Sequence, residues 1–258
     1  MDMSKIIAVT NQKGGVGKTT TSINLSACVA ATGKRVLVVD ADPQGNASSG
    51  LGFKPEKDTP TLYEVIAGEI PAESAIVSTP VSTLFLLPSD VRLAGAEIEL
   101  AGVDNRESIF ADALRPLKDN YDFIFIDCPP SLGLITVNAL AAADSVLVPI
   151  QCEYYALEGV TSLLGTINRI KKSVNPSLDI EGVVLTMYDG RTNLSIQVAA
   201  EVKKHFKNRV FSSVIPRNVR LGEAPSHGLP IHLYDPRSAG AEAYSALARE
   251  VLKRNRKR

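Results

Sequence analysis

Short runs of almost unbroken apolar residues alternate with longer stretches of mixed polarity along most of this chain. Residues 5–11, 35–40, 121–127, 145–150, 180–187 and 210–215 form such runs, with 84–87 a shorter one. A strand apolar at successive positions must be covered on both faces, as in the middle of a parallel sheet. Between the runs, 19–32, 134–142, 160–172 and 194–206 predict helices, and a last helix is expected from about 238 to 253. Gly33 is placed to end the first helix, and Asn175-Pro176 to end the one over 160–172. Strand, helix and strand in this order call for a right-handed crossover. The fold class predicted is α/β, a single doubly wound, mostly parallel sheet with helices on both faces.

The stretch 51–101 is less regular. A short helix over 61–67 is predicted from Thr61, with Glu64 three residues on as a capping box. A helix over 90–100 follows. The spacing of Ile109, Phe110, Ala113, Leu114 and Leu117 predicts an amphipathic helix over 105–117. No repeat or low-complexity linker divides the chain, so residues 1–258 are expected to form one domain.

Composition narrows the picture rather than deciding it. Lys plus Arg and Asp plus Glu number 28 each, so any nucleic-acid contact must come from a local patch. Cys28, Cys128 and Cys152 form no C-x-x-C pair, and His205, His227 and His232 lack metal-ligand spacing. With no apolar leader and no run of 18 apolar residues, a reducing cytoplasmic setting is expected.

The chemistry concentrates where strands end. After the first strand stands Lys13-Gly14-Gly15-Val16-Gly17-Lys18-Thr19-Thr20. Glycines let backbone N–H groups close around phosphates, and the helix that follows points its partly positive end at them. Lys18 would reach the β- and γ-phosphates and the Thr19 hydroxyl would bind Mg²⁺. After the second strand, Asp40 and Asp42 are candidates for Mg²⁺ or a water. An Asp-Pro turn with solvated acids is the plain alternative. The strand over 121–127 ends in Asp127, a carboxylate placed to hold Mg²⁺. Cys128 beside it has no histidine to activate it and reads as a packed residue.

The phosphate loop departs from the usual pattern: Gln12 stands where its first glycine belongs, and Lys13 is an extra lysine. This resembles the deviant Walker A loop of the ParA/MinD group of ATPases. Asp40–Asn46 resembles that group's first switch, and Asp127-Cys-Pro-Pro-Ser-Leu-Gly133 its second. The segments after Arg191 and from Ile215 to Gly228 are most similar to the short chromosomal ParA, or Soj, branch. The resemblance implies an ATP-dependent homodimer in which Lys13 reaches the partner's phosphates. It implies that Asp42 orients the attacking water, or takes part at the metal with Thr19 and Asp127, and that Asp40 is an outer Mg²⁺ partner. It places Glu153 near the nucleotide or the other subunit, and the backbone around Pro216 and Asn218 near adenine. It implies non-specific double-stranded DNA binding through Arg191 and Arg220. Arg217, Lys171, Lys172, Lys203 and Lys204 are candidates to extend that surface. A ParB-like protein would stimulate hydrolysis, and the protein would sit in the cytoplasm on the nucleoid. No N-terminal helix-turn-helix extension is expected, nor stable membrane association.

Two other readings share the loop. A MinD-like membrane switch wants a terminal amphipathic helix with bulky apolar residues, and the tail over 248–258 is basic with few of them. A nitrogenase iron-protein type of redox enzyme needs two cluster cysteines at the dimer seam, and Cys128 and Cys152 do not match that pattern. Tyr154 and Tyr155 are read as packed tyrosines as readily as ligand contacts.

Overall fold

The structure, a computed structural model, describes residues 4–56, 58–153 and 156–256. Eight strands form one sheet: β1 (Lys5–Val9), β2 (Val36–Asp40), β3 (Val77–Ser78), β4 (Leu84–Leu87), β5 (Phe123–Asp127), β6 (Ser145–Gln151), β7 (Asp179–Tyr188) and β8 (Val210–Pro216). Their order is β3-β4-β2-β5-β1-β6-β7-β8. All neighbours are parallel except the two-residue edge strand β3, which runs antiparallel to β4.

The helices are α1 (Lys18–Ala30), α2 (Asn46–Gly50), α3 (Leu62–Ile66), α4 (Leu93–Glu99), α5 (Ile109–Leu114), α6 (Leu134–Ala142), α7 (Ala156–Ser173), α8 (Asn193–Phe206), α9 (Val219–Glu223), α10 (Ile231–Tyr234) and α11 (Ala239–Arg254). Successive side chains of a strand point to opposite faces. Ile6 and Ala8 of β1 therefore join a core with α3 to α8, while Ile7 and Val9 join a second core with α1 and α11. That two-sided cover is why the central strands read as unbroken apolar runs.

The capping box at Thr61 forms as expected: the Thr61 N–H donates to Glu64 at 2.8 Å, and the Thr61 hydroxyl accepts from the Tyr63 N–H at 3.3 Å. The helix expected over 105–117 is broken. Asn105 takes a left-handed φ of 55°, a 3₁₀ turn covers Arg106–Ser108, and α5 gives way to a second 3₁₀ segment at Arg115–Asp119. Pro116 lacks the N–H that a continuing α-helix needs. Its apolar side survives, since Phe110, Leu114 and Leu117 are buried. The short elements β3, α2, α9 and α10 have no periodic signature, being too brief to show one.

The parallel strands give the sheet two unlike edges. Their carboxyl ends lead into the loops 10–17, 41–45, 128–133 and 188–192. At their amino ends the C-termini of α7, α8 and α11 collect.

Candidate active site

The loop from β1 to α1 is pinned from three sides. Asn11 Nδ2 donates to the Pro149 carbonyl at 2.8 Å, Asn11 Oδ1 accepts the Lys13 N–H at 3.1 Å, and the Thr186 hydroxyl donates to the Val16 carbonyl at 2.8 Å. Gly15 and Gly17 hold left-handed φ values of 74° and 88°, which a side chain strains. A Cβ built on Gly14 or Gly15 meets nothing within 4 Å, so the loop faces open space. No side chain caps α1 and its first turn holds no acid. The leading N–H groups are thus available to an anion. Lys18 is buried and its Nζ donates to the Lys13 carbonyl at 3.2 Å. Burial pushes its pKa down, against the pull of Asp127, Cys128 and Asp42.

Asp40 and Asp127 end adjacent strands in register, and both are fully buried. Burial raises the pKa of each, and neighbouring carboxylates add to the rise. Their satisfaction differs. Asp40 Oδ2 accepts the Ser48 N–H at 2.8 Å and its hydroxyl at 2.7 Å, and Oδ1 accepts the Asp42 N–H at 3.1 Å. Asp127 Oδ1 accepts from the Ser22 hydroxyl at 2.8 Å, while buried Oδ2 has no hydrogen-bond partner among the described residues. The Thr19 side chain stands near the Asp127 carboxyl and, with Ser22, holds its pKa down against burial. A buried anionic oxygen without a donor is costly. Bearing a lone pair beside a threonine hydroxyl, it is the donor set of a hard divalent cation. The residues present therefore fit Mg²⁺. Asp42 is 8% exposed and accepts the Gln44 N–H at 3.0 Å.

Lys13 turns the other way. Its Nζ lies 3.6 Å from Glu153 Oε2, and Arg217 lies 3.7 Å from Glu153 Oε1. Pro216 ends β8, and Asn218, at the start of α9, has a buried Oδ1 without a partner among the described residues. Arg191 is clasped by Asp189 at 2.9 and 2.7 Å, and Arg220 by Glu223 at 2.7 Å with Asp235 at 3.5 Å. The carboxyl edge thus gathers Lys13 to Thr20, Asp42, Asp127, Glu153, Pro216 and Asn218, with Arg191, Arg217 and Arg220 beside them. It does not gather Lys171, Lys172, Lys203 and Lys204. These occupy the last turns of α7 and α8 at the amino edge, because each helix runs back antiparallel to its strand. Tyr154 and Tyr155 lie outside the described residues.

Sequence reasoning misses Ser22 and Ser48. Ser22 stands four residues after Lys18, one helical turn on from the loop, and Ser48 lies just beyond the Asp40–Asn46 turn. That proximity is the available signal. All three cysteines are buried, and burial pushes the thiols up, to about 11 for Cys28 and Cys152. This agrees with a packing role for Cys128.

A family model described as an AAA domain matches residues 4–180. The chain is 59% identical to the sporulation initiation inhibitor protein Soj of Bacillus subtilis, over 96% of this chain and 98% of that one. It is 54% identical to the chromosome partitioning protein ParA of Myxococcus xanthus, over 98% and 89%. Among solved structures, cobyrinic acid a,c-diamide synthase of Mycobacterium smegmatis, with bound ADP and magnesium, superposes with a TM-score of 0.86. That match has 39% identity and covers 97% of this chain and 95% of that one.

Proposed function

The chain belongs to the Soj/ParA family of chromosome-partitioning ATPases, and from that premise we propose that it is a Mg²⁺-dependent ATPase working as a DNA-gripping switch. Two copies close around ATP, the closed pair holds duplex DNA without regard to sequence, and hydrolysis stimulated by a ParB-like protein releases it. The observation that carries the catalytic part is the orphaned Asp127 Oδ2 beneath an uncapped glycine loop.

The residues divide the work. Loop amides from Gly14 to Thr20 and the Lys18 ammonium hold the β- and γ-phosphate charge. Thr19 and Asp127 would hold Mg²⁺, which when bound neutralises phosphate charge. Asp42, held by the Gln44 N–H, orients the attacking water. Lys13 contributes its charge to the other subunit's phosphates. Its present pair with Glu153 is partly exposed, and such pairs are worth about 0–1 kcal/mol, so little opposes its transfer. Glu153 then meets the partner or the nucleotide, and the backbone around Pro216 and Asn218 borders the adenine.

DNA is held by Arg191, Arg217 and Arg220. Lys171, Lys203 and Lys204 form a separate group at the amino edge that would contact DNA only if it wraps the pair. Dimerisation doubles the available phosphate contacts, and log affinity changes by about 0.9 per contact for each tenfold change in salt. The cytoplasm, on the nucleoid, is where such a cycle operates. The test is DNA binding with ADP, ATP and a slowly hydrolysed analogue across a salt series. Tight binding with ATP or the analogue only, lost in Arg191→Ala and Arg220→Ala, is expected. Equal binding with ADP would refute the switch.

A further inference from the structure

We propose that Arg249, Lys253 and Arg256, on the exposed side of the C-terminal helix, form a second duplex-DNA contact that acts in the single chain and needs no nucleotide. The observation is a local imbalance of charge at the amino edge. All three residues are exposed. At spacings of four and three residues, Arg249 and Lys253 fall on one helix face, which Arg256 continues just past the last turn. Seven residues of helix span about 10 Å.

On one side of this stripe is a hollow of about 1080 Å³ containing Asp179, Glu181 and Glu250. Each of these acids is already engaged. Asp179 pairs with Arg209 at 2.9 Å. Glu181 accepts from the Ser145 hydroxyl and from Asn255 Nδ2, both at 2.7 Å. Glu250 accepts the Ser212 and Ser213 N–H groups at 2.9 and 2.7 Å. Arg254 is turned inward onto the Glu181 carbonyl at 2.8 Å.

The stripe also borders a second hollow, of about 1300 Å³. There Asp122 is taken by Lys34 at 2.8 Å and Asp144 by Lys118 at 3.5 Å. Asp119 is the third acid lining that hollow, which Arg249, Lys253 and Arg256 also line. Arg249 donates to a neutral hydroxyl, that of Ser245 at 3.1 Å, and among the described residues no acid lies within ion-pair distance of Arg249, Lys253 or Arg256. The contrast with Arg191, Arg217 and Arg220, each of which has an internal carboxylate, is direct.

The partner follows from the chemistry. Three separated cations over about 10 Å do not converge on one phosphate. They match a strand of duplex carrying one charge per about 3.4 Å of axis. An anionic membrane fits less well, because the exposed large apolar side chains of the described residues lie at 91, 98, 103, 194, 196, 219 and 233, none of them on α11. Among the described residues this helix offers no exposed large apolar side chain to insert. Such a contact would keep the monomer near the polymer, where a second copy meets it at raised local concentration. The inference does not depend on the dimer cycle proposed above.

The test is binding of the nucleotide-free protein to a fluorescent random-sequence duplex over a low-salt series. Weak binding is expected, with the three stripe contacts adding about 2.7 to the steepness of log affinity against log salt. Arg249→Gln, Lys253→Gln and Arg256→Gln combined should weaken it and flatten the slope by about 2.7 while leaving the melting curve unchanged. Replacing the two arginines with lysine should retain the slope, since phosphate contact needs charge rather than shape. Equal affinity and slope in the wild type and the triple glutamine variant would overturn the proposal. So would a stripe that governs sedimentation with anionic-lipid vesicles but not DNA affinity.

Discussion

At the carboxyl edge of the sheet Lys18, Asp40, Asp42 and Asp127 are all less than a tenth exposed, while at the amino edge Arg249, Lys253 and Arg256 stand in solvent. Within the first group, charge is kept where burial opposes it, and one oxygen lacks any donor among the described residues. Within the second, charge costs little to keep, and only its lack of internal partners is informative. Buried charge without compensation argues for a ligand by its energy alone. Exposed charge argues for one only by its pattern, because a solvated lysine or arginine is ordinary.

The largest effect is expected at the loop. Lys18→Ala should lower ATP turnover by about 10³-fold or more, the scale of losing a charge aimed at the transferring phosphate, read as phosphate release. Lys13→Ala should instead keep ATP binding and lose turnover with dimerisation. Normal turnover in Lys13→Ala would end the cross-subunit role.

Next in size is Asp127→Asn. Without Mg²⁺ or nucleotide it should stabilise the protein by about 1–3 kcal/mol, because an unpaired buried charge is removed. A raised carboxyl pKa means the folded state holds its proton longer than the unfolded chain does. That contribution is fully present below the ordinary carboxylate range and is lost as pH rises through the folded-state value. The variant's advantage in thermal melts should therefore widen between about pH 4 and pH 8. A pH-independent difference would contradict the assignment. The same variant should lose Mg²⁺-supported nucleotide binding.

Ser22→Ala should cost about 1–2 kcal/mol, the loss of a hydrogen bond to a buried carboxylate. The cost should shrink in the Asp127→Asn background, and an additive double-variant cycle would show that the two do not act together. Smallest is Asp189→Asn. Removing the clasp on Arg191 should raise DNA affinity of the ATP state a few-fold and steepen its salt slope by up to about 0.9. Weaker binding would mean that Asp189 orients Arg191 rather than competing with phosphate.

Much of this architecture is legible in the order of the residues. The central strands show because cover on both faces leaves them apolar throughout, and the loop shows because glycine, lysine and threonine at fixed spacing have few other uses. The end of β5 at Asp127 shows because an acid closing an apolar run stands out. The helix expected over 105–117 fails because Ile109, Phe110, Leu114 and Leu117 keep a helical stripe across a break imposed by Asn105 and Pro116. Ser22 escapes notice because its partner Asp127 is 105 residues away, and periodicity reports only neighbours. The lysines of α7 and α8 look like companions of Arg191 in the chain. Helix direction, which separates them from it, enters only when strands and helices are placed in space.

The account rests most directly on the assembly state of the protein saturated with Mg²⁺ and an uncleavable ATP analogue, measured by sedimentation velocity beside the ADP form. It predicts a dimer with the analogue, a monomer with ADP, and a monomer in both for Lys13→Ala. A wild-type protein that remains monomeric with the analogue would contradict it.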